Sequence, residues 1–161
     1  MHIEYEARIL DINKEEIIKK LENLGATKKG EFFQKRYVYD FQPKIEGKFI
    51  RLRTNGIETT LTYKDRSDDT KIDGTKELEI KVDDFEKTYL FLKELGYEEL
   101  SYQENKRITY ILEDVTFDID SYPMIPTYLE IEGKNNEDVL KYIDILDLKM
   151  YTIIHGNLKK V

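Results

Sequence analysis

The 161-residue chain has no cysteine and no tryptophan, only two histidines and only three prolines. Without cysteine there is no disulfide framework, no thiol nucleophile and no cysteine zinc site. His2 and His155 stand far apart, in no ligand or triad spacing, which sets aside a histidine-based hydrolase or a histidine-rich transition-metal centre. No apolar run approaches the roughly 20 residues of a transmembrane helix. The opening Met1-His2-Ile3-Glu4-Tyr5-Glu6-Ala7-Arg8 also lacks the apolar stretch of a secretion signal, so the chain reads as a cytoplasmic protein. Positive charge is in deficit, with 26 Lys and Arg against 33 Asp and Glu and a net charge of −7. The molecule as a whole therefore repels nucleic acid and anionic membrane, and any bound anion needs a local cluster of cations. The length suits one domain over 1–161 with a sizeable core.

What is present is alternation. In Ile3-Glu4-Tyr5-Glu6-Ala7-Arg8-Ile9 charged and apolar residues exchange with period two, the spacing of a strand with one ionic and one apolar face. The pattern returns at Arg51-Leu52-Arg53, Thr60-Leu61-Thr62-Tyr63-Lys64, Glu77-Leu78-Glu79-Ile80-Lys81, Asp118-Ile119-Asp120 and Glu130-Ile131-Glu132. If these strands form one curled sheet, the ionic faces converge on a lumen and helices can cover the apolar outside.

Asn13 followed by Glu16 reads as a helix N-cap, Ile17, Ile18, Leu21 and Leu24 as the apolar stripe, and Gly25 as the stop, giving a helix over 14–24. Strands are expected over 32–41, 48–54 and 58–64, the last two joined by Asn55-Gly56 as a type I′ turn. The polar run 65–75 reads as a mobile loop. The plan then restarts. Glu77-x-Glu79-x-Lys81 matches Glu4-x-Glu6-x-Arg8, Asp83 or Asp84 can cap a helix, and Leu92-x-x-Leu95-Gly96 repeats Leu21-x-x-Leu24-Gly25. Strands through 106–110, 114–120 and 127–132 follow, then a helix over 136–146. The fold class read from this is α+β: an eight-stranded antiparallel closed barrel with outer helices and a two-fold pseudo-repeat, about 1–72 and 73–161.

The halves differ in charge. Arg51, Arg53 and Lys64 in the first correspond roughly to Asp118, Asp120, Glu130 and Glu132 in the second, so the lumen gains a cationic and an anionic wall. Carboxylates are the hard ligands that Mg²⁺ and Mn²⁺ prefer, and guanidinium groups clamp phosphate oxygens in pairs. A polyphosphate bridging metal to arginine satisfies both walls. A lumen of mutually neutralising ion pairs would cost several kcal/mol of desolvation per ion with no gain over an apolar core.

These residues resemble the CYTH superfamily, the triphosphate tunnel metalloenzymes, and most closely its class IV adenylyl cyclase branch. Glu4-x-Glu6-x-Arg8 is similar to the family's N-terminal ExExK signature, Arg51-x-Arg53 to its R-x-R strand, Thr62-x-Lys64 to its T-x-K strand, Glu77-x-Glu79 to its middle E-x-E, Lys106-Arg107 to its K-R strand, and Tyr128-x-Glu130-x-Glu132 to its late F-x-E-x-E. The resemblance implies a metal-dependent enzyme with Mg²⁺ or Mn²⁺. Arg8, Arg51, Arg53, Lys64, Lys81 and Arg107 would bind a triphosphate, namely tripolyphosphate, ATP or thiamine triphosphate. Glu4, Glu6, Glu77, Glu79, Asp118, Asp120, Glu130 and Glu132 would supply metal ligands, with Glu4, Glu6 and Arg8 nearest the chemistry. A homodimer is compatible with this reading.

Arg8 departs from the signature's lysine, and a guanidinium does not accept a proton, so Arg8 is expected to act as a clamp. Hydrolysis of the triphosphate is the expected reaction. Cyclisation of ATP to cyclic AMP and pyrophosphate is the alternative and a non-catalytic polyphosphate-binding module the rival of another class. No dedicated grip on base and sugar is apparent, since Tyr5, Tyr37 and Tyr39 are as well explained by strand packing.

Overall fold

Residues 1–66 and 68–155 are described by a computed structural model. The strands are β1 (His2–Ile9), β2 (Thr27–Asp40), β3 (Lys48–Thr54), β4 (Thr59–Asp65), β5 (Thr75–Val82), β6 (Ser101–Leu112), β7 (Val115–Tyr122), β8 (Ile125–Gly133) and β9 (Ile153–Ile154), and the helices α1 (Lys14–Asn23), α2 (Phe85–Glu94) and α3 (Asn136–Ile145). Antiparallel pairing runs β5-β4-β3-β2-β6-β7-β8-β1, and β1 closes the ring on β5 through His2↔Glu77, Ile3↔Lys76 and Glu4↔Thr75. The expected eight-stranded closed barrel is present. β9, which the sequence pattern did not suggest, is a short ninth strand against Arg8 and Ile9. Strand, helix, long strand and hairpin occur twice in succession, with β1 beside β5 and the long strands β2 and β6 paired with each other.

Period two in β1 is resolved as expected: Ala7 and Ile9 are fully buried outside the barrel while Glu4, Glu6 and Arg8 turn inward. The outer apolar face of β1, β6, β7 and β8 meets Ile17 and Leu21 of α1 and Val139 and Ile143 of α3 in the main core. Burying each such aliphatic side chain contributes about 1.5–3 kcal/mol. A smaller core forms where Phe85, Tyr89 and Leu92 of α2 cover Tyr37, Tyr39, Ile50, Leu52 and Leu61. Tyr37 and Tyr39 are thus packing residues outside the lumen. The helices begin as their sequences demand, with Asn13, Asp84 and Asn135 each accepting from the backbone N–H three residues on.

Three expectations need correction. Asn55-Gly56 is not a type I′ turn: Asn55 stays at negative φ and its Oδ1 accepts from the N–H groups of Ile57 and Glu58, which stabilises a four-residue loop with Gly56 at φ +87°. The two-residue loop with both centres at positive φ is Glu113-Asp114, between β6 and β7. The end of the run expected as a mobile loop is anchored over Ile72 and Thr75, because the Ile72 carbonyl accepts from the Glu6 N–H, Ile72 packs on the main core and Thr75 is buried. β2 also starts at Thr27, earlier than its apolar pattern suggests, since this end pairs with β6 alone.

Candidate functional site

Strand register assembles the lumen. Cross-strand partners share a face, so Arg51↔Thr62↔Glu79, Arg36↔Arg53, Asp118↔Glu130↔Arg8 and Glu132↔Glu6 form inward-facing rows. The result is a concentration of buried charge: Glu4, Glu6, Arg36, Arg51, Lys64, Asp118, Asp120 and Glu130 are all almost inaccessible to solvent.

One wall is acidic. Ligand oxygens of Glu4, Glu6 and Glu132 lie within 4.8 Å of one another, close enough to share a cation. Three hard oxygen donors with no nitrogen or sulfur among them fit Mg²⁺ or Mn²⁺. Burial and then the neighbouring Glu4, Glu130 and Glu6 push the Glu132 carboxyl up to about 8. Burial raises Glu6, with Glu130 adding to it, and raises Glu4 against the opposing attraction of Lys64. Glu130 differs. Burial opposes its charge, but Arg8 and Arg107 outweigh that and hold its carboxyl well below the usual range. Arg8 Nε donates to Glu130 Oε2 at 2.8 Å, and Glu130 and Glu6 keep its guanidinium firmly charged despite burial.

The opposite wall is basic and undercompensated. Lys64 Nζ contacts both Glu4 oxygens at 3.1 Å and Glu77 at 3.7 Å, and Arg51 reaches Glu79 at 3.5 Å. Arg53 has no salt bridge among the described residues, and burial followed by Arg51, Arg107 and Arg36 lowers its proton affinity strongly. Burial also lowers Arg51, next through Arg36, and Lys64, next through Arg51, and Arg66, next through Arg8. The Nε atoms of Arg36, Arg51 and Arg66 are buried without a hydrogen-bond partner among the described residues. A buried donor left unmade costs about 1–3 kcal/mol, which an acceptor brought to these groups would relieve.

Arg107 is committed differently. It donates to Asp120 through Nε at 2.8 Å and Nη2 at 2.9 Å and sits 3.3 Å from Asp118, while Asn105 also donates to Asp120 and Thr109 to Asp118. Asp118 and Asp120 thus lie in the lumen, but their oxygens are occupied by Arg107, Asn105 and Thr109. Lys81 is not brought into the group: it is three-quarters exposed at the far end of β5 and paired with Glu58 at 2.8 Å.

Arg36 and Arg66 are inward cations that the sequence pattern did not single out. Arg36 shares its face with Gln34, which accepts from it at 2.9 Å, and Arg66 lies 3.8 Å from Glu6. Beyond the charged rows one end of the lumen widens into a cavity of about 780 Å³, with Arg8, Arg36, Arg51 and Arg66 at its floor and Phe49, Tyr122, Met124, Ile125 and Tyr128 among its sides. Tyr122 stacks on Tyr128, and the Arg36 guanidinium lies over Tyr122.

A closed antiparallel barrel whose interior sets crowded cations against clustered carboxylates defines a charged-tunnel protein. The chain belongs to the CYTH domain family, whose model matches residues 2–156. A Methanocaldococcus jannaschii protein named "Putative adenylate cyclase" is 26% identical over 98% of this chain and 91% of its own length. A Pyrococcus horikoshii protein of known structure is 28% identical and superposes with a TM-score of 0.81 over 91% of this chain and 92% of its own. A Hippeastrum protein whose structure is described as revealing a dominant triphosphatase activity shares the fold at 16% identity, with a TM-score of 0.67 over 98% of this chain and 91% of its own. No helix among the described residues is long and apolar enough to cross a membrane.

Proposed function

We propose that the chain is a metal-dependent triphosphatase acting inside its tunnel. The observation that carries this is the basic wall: Arg36, Arg51 and Lys64 are buried and Arg53 and Arg66 partly buried beside them, four of the five with proton affinity lowered by burial and by neighbouring cations, three with an unpartnered Nε. A triphosphate supplies the negative charge and acceptor oxygens that this wall lacks. Glu4, Glu6 and Glu132 would hold the divalent cation, Mg²⁺ or Mn²⁺, with Glu77, Glu79 and Glu130 bordering the group. The cation would neutralise phosphate oxygens from the acidic side and polarise the phosphorus that is attacked.

In hydrolysis a water oxygen bonds to the terminal phosphorus, the bridging P–O bond breaks, and the remaining diphosphate leaves with the bond's electron pair. Arg8 steadies charge on the phosphate chain and takes no proton, because Glu130 and Glu6 keep it charged. The proton released by the attacking water goes to solvent or to a phosphate oxygen of the products, because Glu4 and Glu6 would be engaged as ligands of the cation. Asp118 and Asp120 orient Arg107 rather than bind metal, which leaves Arg107 as a fixed cation at the edge of the phosphate path.

The wide mouth supports a second reading. Phe49, Tyr122, Met124 and Ile125 offer apolar and aromatic surface beside the cationic floor, which suits the organic part of a triphosphate such as ATP or thiamine triphosphate and leaves the cyclase reaction open to the same frame. Incubation with tripolyphosphate, ATP and thiamine triphosphate, with Mg²⁺ or Mn²⁺ and with chelator, separates the readings. Orthophosphate as main product supports hydrolysis, and cyclic AMP with pyrophosphate supports cyclisation.

A further inference from the structure

Among the cations of the lumen, Arg36 is held in a way the others are not. Arg8, Arg51, Lys64, Arg66 and Arg107 each form a salt bridge with a carboxylate. Arg36 forms none among the described residues, yet three neutral groups fix it. Its Nη2 donates to Gln34 Oε1 at 2.9 Å and to Asn105 Oδ1 at 3.0 Å, and its guanidinium lies over the Tyr122 ring, 5.8 Å from the centroid. Gln34 and Asn105 are cross-strand partners on β2 and β6, and both are almost inaccessible to solvent.

The Asn105 amide can face only one way. Its Nδ2 donates to Asp120 Oδ1 at 3.0 Å, an oxygen that also accepts from Arg107 Nε at 2.8 Å. Turning the amide over would set its oxygen against that carboxylate and its NH₂ group against Arg36, so the carbonyl is locked toward the guanidinium. Tyr122 is in turn backed by Tyr128, whose ring lies within 12° of parallel to it. Both Nη2 hydrogens of Arg36 are thus taken up. Its buried Nε has no partner among the described residues, and Arg36 lines the wide cavity at the tunnel mouth.

A neutral acceptor fixes the plane of a guanidinium without cancelling its charge. A carboxylate in the same place would do both, and would compete with any anion brought to it. Burying a cation without a counter-ion costs folding stability, so amides in these positions do not serve the empty fold best. On the reading that the tunnel binds a triphosphate, we propose that Gln34 and Asn105 are positioning residues that hold Arg36 uncompensated, so that it grips the substrate's phosphate chain at the mouth of the tunnel.

The test is calorimetric titration of the full chain with tripolyphosphate in the presence of Mg²⁺, beside a thermal melt of the unliganded protein. Gln34→Glu keeps the size of the side chain and an acceptor for Nη2 but supplies the missing counter-charge. It is expected to weaken tripolyphosphate binding about tenfold or more while Tm stays unchanged or rises, whereas damage to the fold would lower both together. Gln34→Met and Asn105→Met, which each remove one acceptor, are expected to weaken binding several-fold in the otherwise wild-type chain. In an Arg36→Met background, where no guanidinium is left to place, they are expected to add little. A wild type that does not bind tripolyphosphate overturns this inference together with the triphosphate reading. A wild type that binds it overturns this inference alone if Gln34→Glu binds as tightly or loses affinity and Tm together, or if the methionine variants act undiminished without Arg36.

Discussion

Arg8 and Glu130 face each other across the β1–β8 pair, Nε to Oε2 at 2.8 Å, and each fixes the other's charge in the buried part of the lumen. Removing one partner leaves the other charged, buried and without its shortest contact. Arg8→Ala is therefore expected to destabilise the protein by about 3–5 kcal/mol, the usual consequence of orphaning a buried ion. Arg8→Lys, which keeps the charge and restores the residue of the ExExK signature, is expected to lose much less. Urea unfolding of the two variants beside the wild type checks the difference, and equal losses would contradict it.

Arg53 should behave in the opposite sense. It has no salt bridge among the described residues and is crowded by Arg51, Arg107 and Arg36, so the folded protein without ligand gains nothing from its charge. Arg53→Met is expected to leave thermal stability unchanged or raised while weakening triphosphate binding by about 2–5 kcal/mol, as truncating one side of a buried charge pair does. Calorimetric titration with tripolyphosphate and a thermal melt, done together, separate a binding role from a structural one.

Glu132 supplies a pH signature. Its carboxyl is raised to about 8 in the folded protein, from the ordinary carboxylate value of 4.5 when unfolded. Between those values the folded state holds a proton that the unfolded state releases, so without metal this group's contribution to stability is present below about 4.5 and is lost as pH rises to about 8. A divalent cation competes with that proton, hence metal affinity is expected to climb over the upper part of the same range and level off above it. Glu132→Gln is expected to flatten the fall in Tm with pH and to abolish the rise in Tm that Mg²⁺ or Mn²⁺ gives the wild type. A melt series from pH 5 to 9, with and without metal, reads both.

How much could be read in advance depended on what each residue's neighbours in sequence reveal. Glu4, Glu6 and Arg8 were visible because apolar residues flank each of them, and period two then assigns a face. Arg36 was hidden because Tyr37 and Tyr39 on the opposite face are as aromatic as a core strand, which drew attention away from the Gln34, Arg36 side. Arg66 follows the end of β4 and has no periodicity at all, so only the closing of the chain brings it 3.8 Å from Glu6. The sequence also presents Asp118, Asp120, Glu130 and Glu132 as equals. What separates them is register: Arg107 lands opposite Asp120 and Arg8 opposite Glu130, which leaves Glu132 beside Glu6 with no salt bridge among the described residues. Asn55-Gly56 misled in a simpler way, since the same pair serves an I′ turn or a longer loop and the asparagine side chain decided for the latter.

The most direct test measures product release from tripolyphosphate by the wild type and by Glu4→Gln with Glu6→Gln, each with Mg²⁺, with Mn²⁺ and with chelator. The expected result is orthophosphate from the wild type only when metal is present, faster than ATP is converted to cyclic AMP, and little turnover in the double variant, whose fold is intact by dichroism. Turnover that survives both chelation and the double substitution, or cyclic AMP and pyrophosphate as the main products from ATP with tripolyphosphate inert, would contradict it.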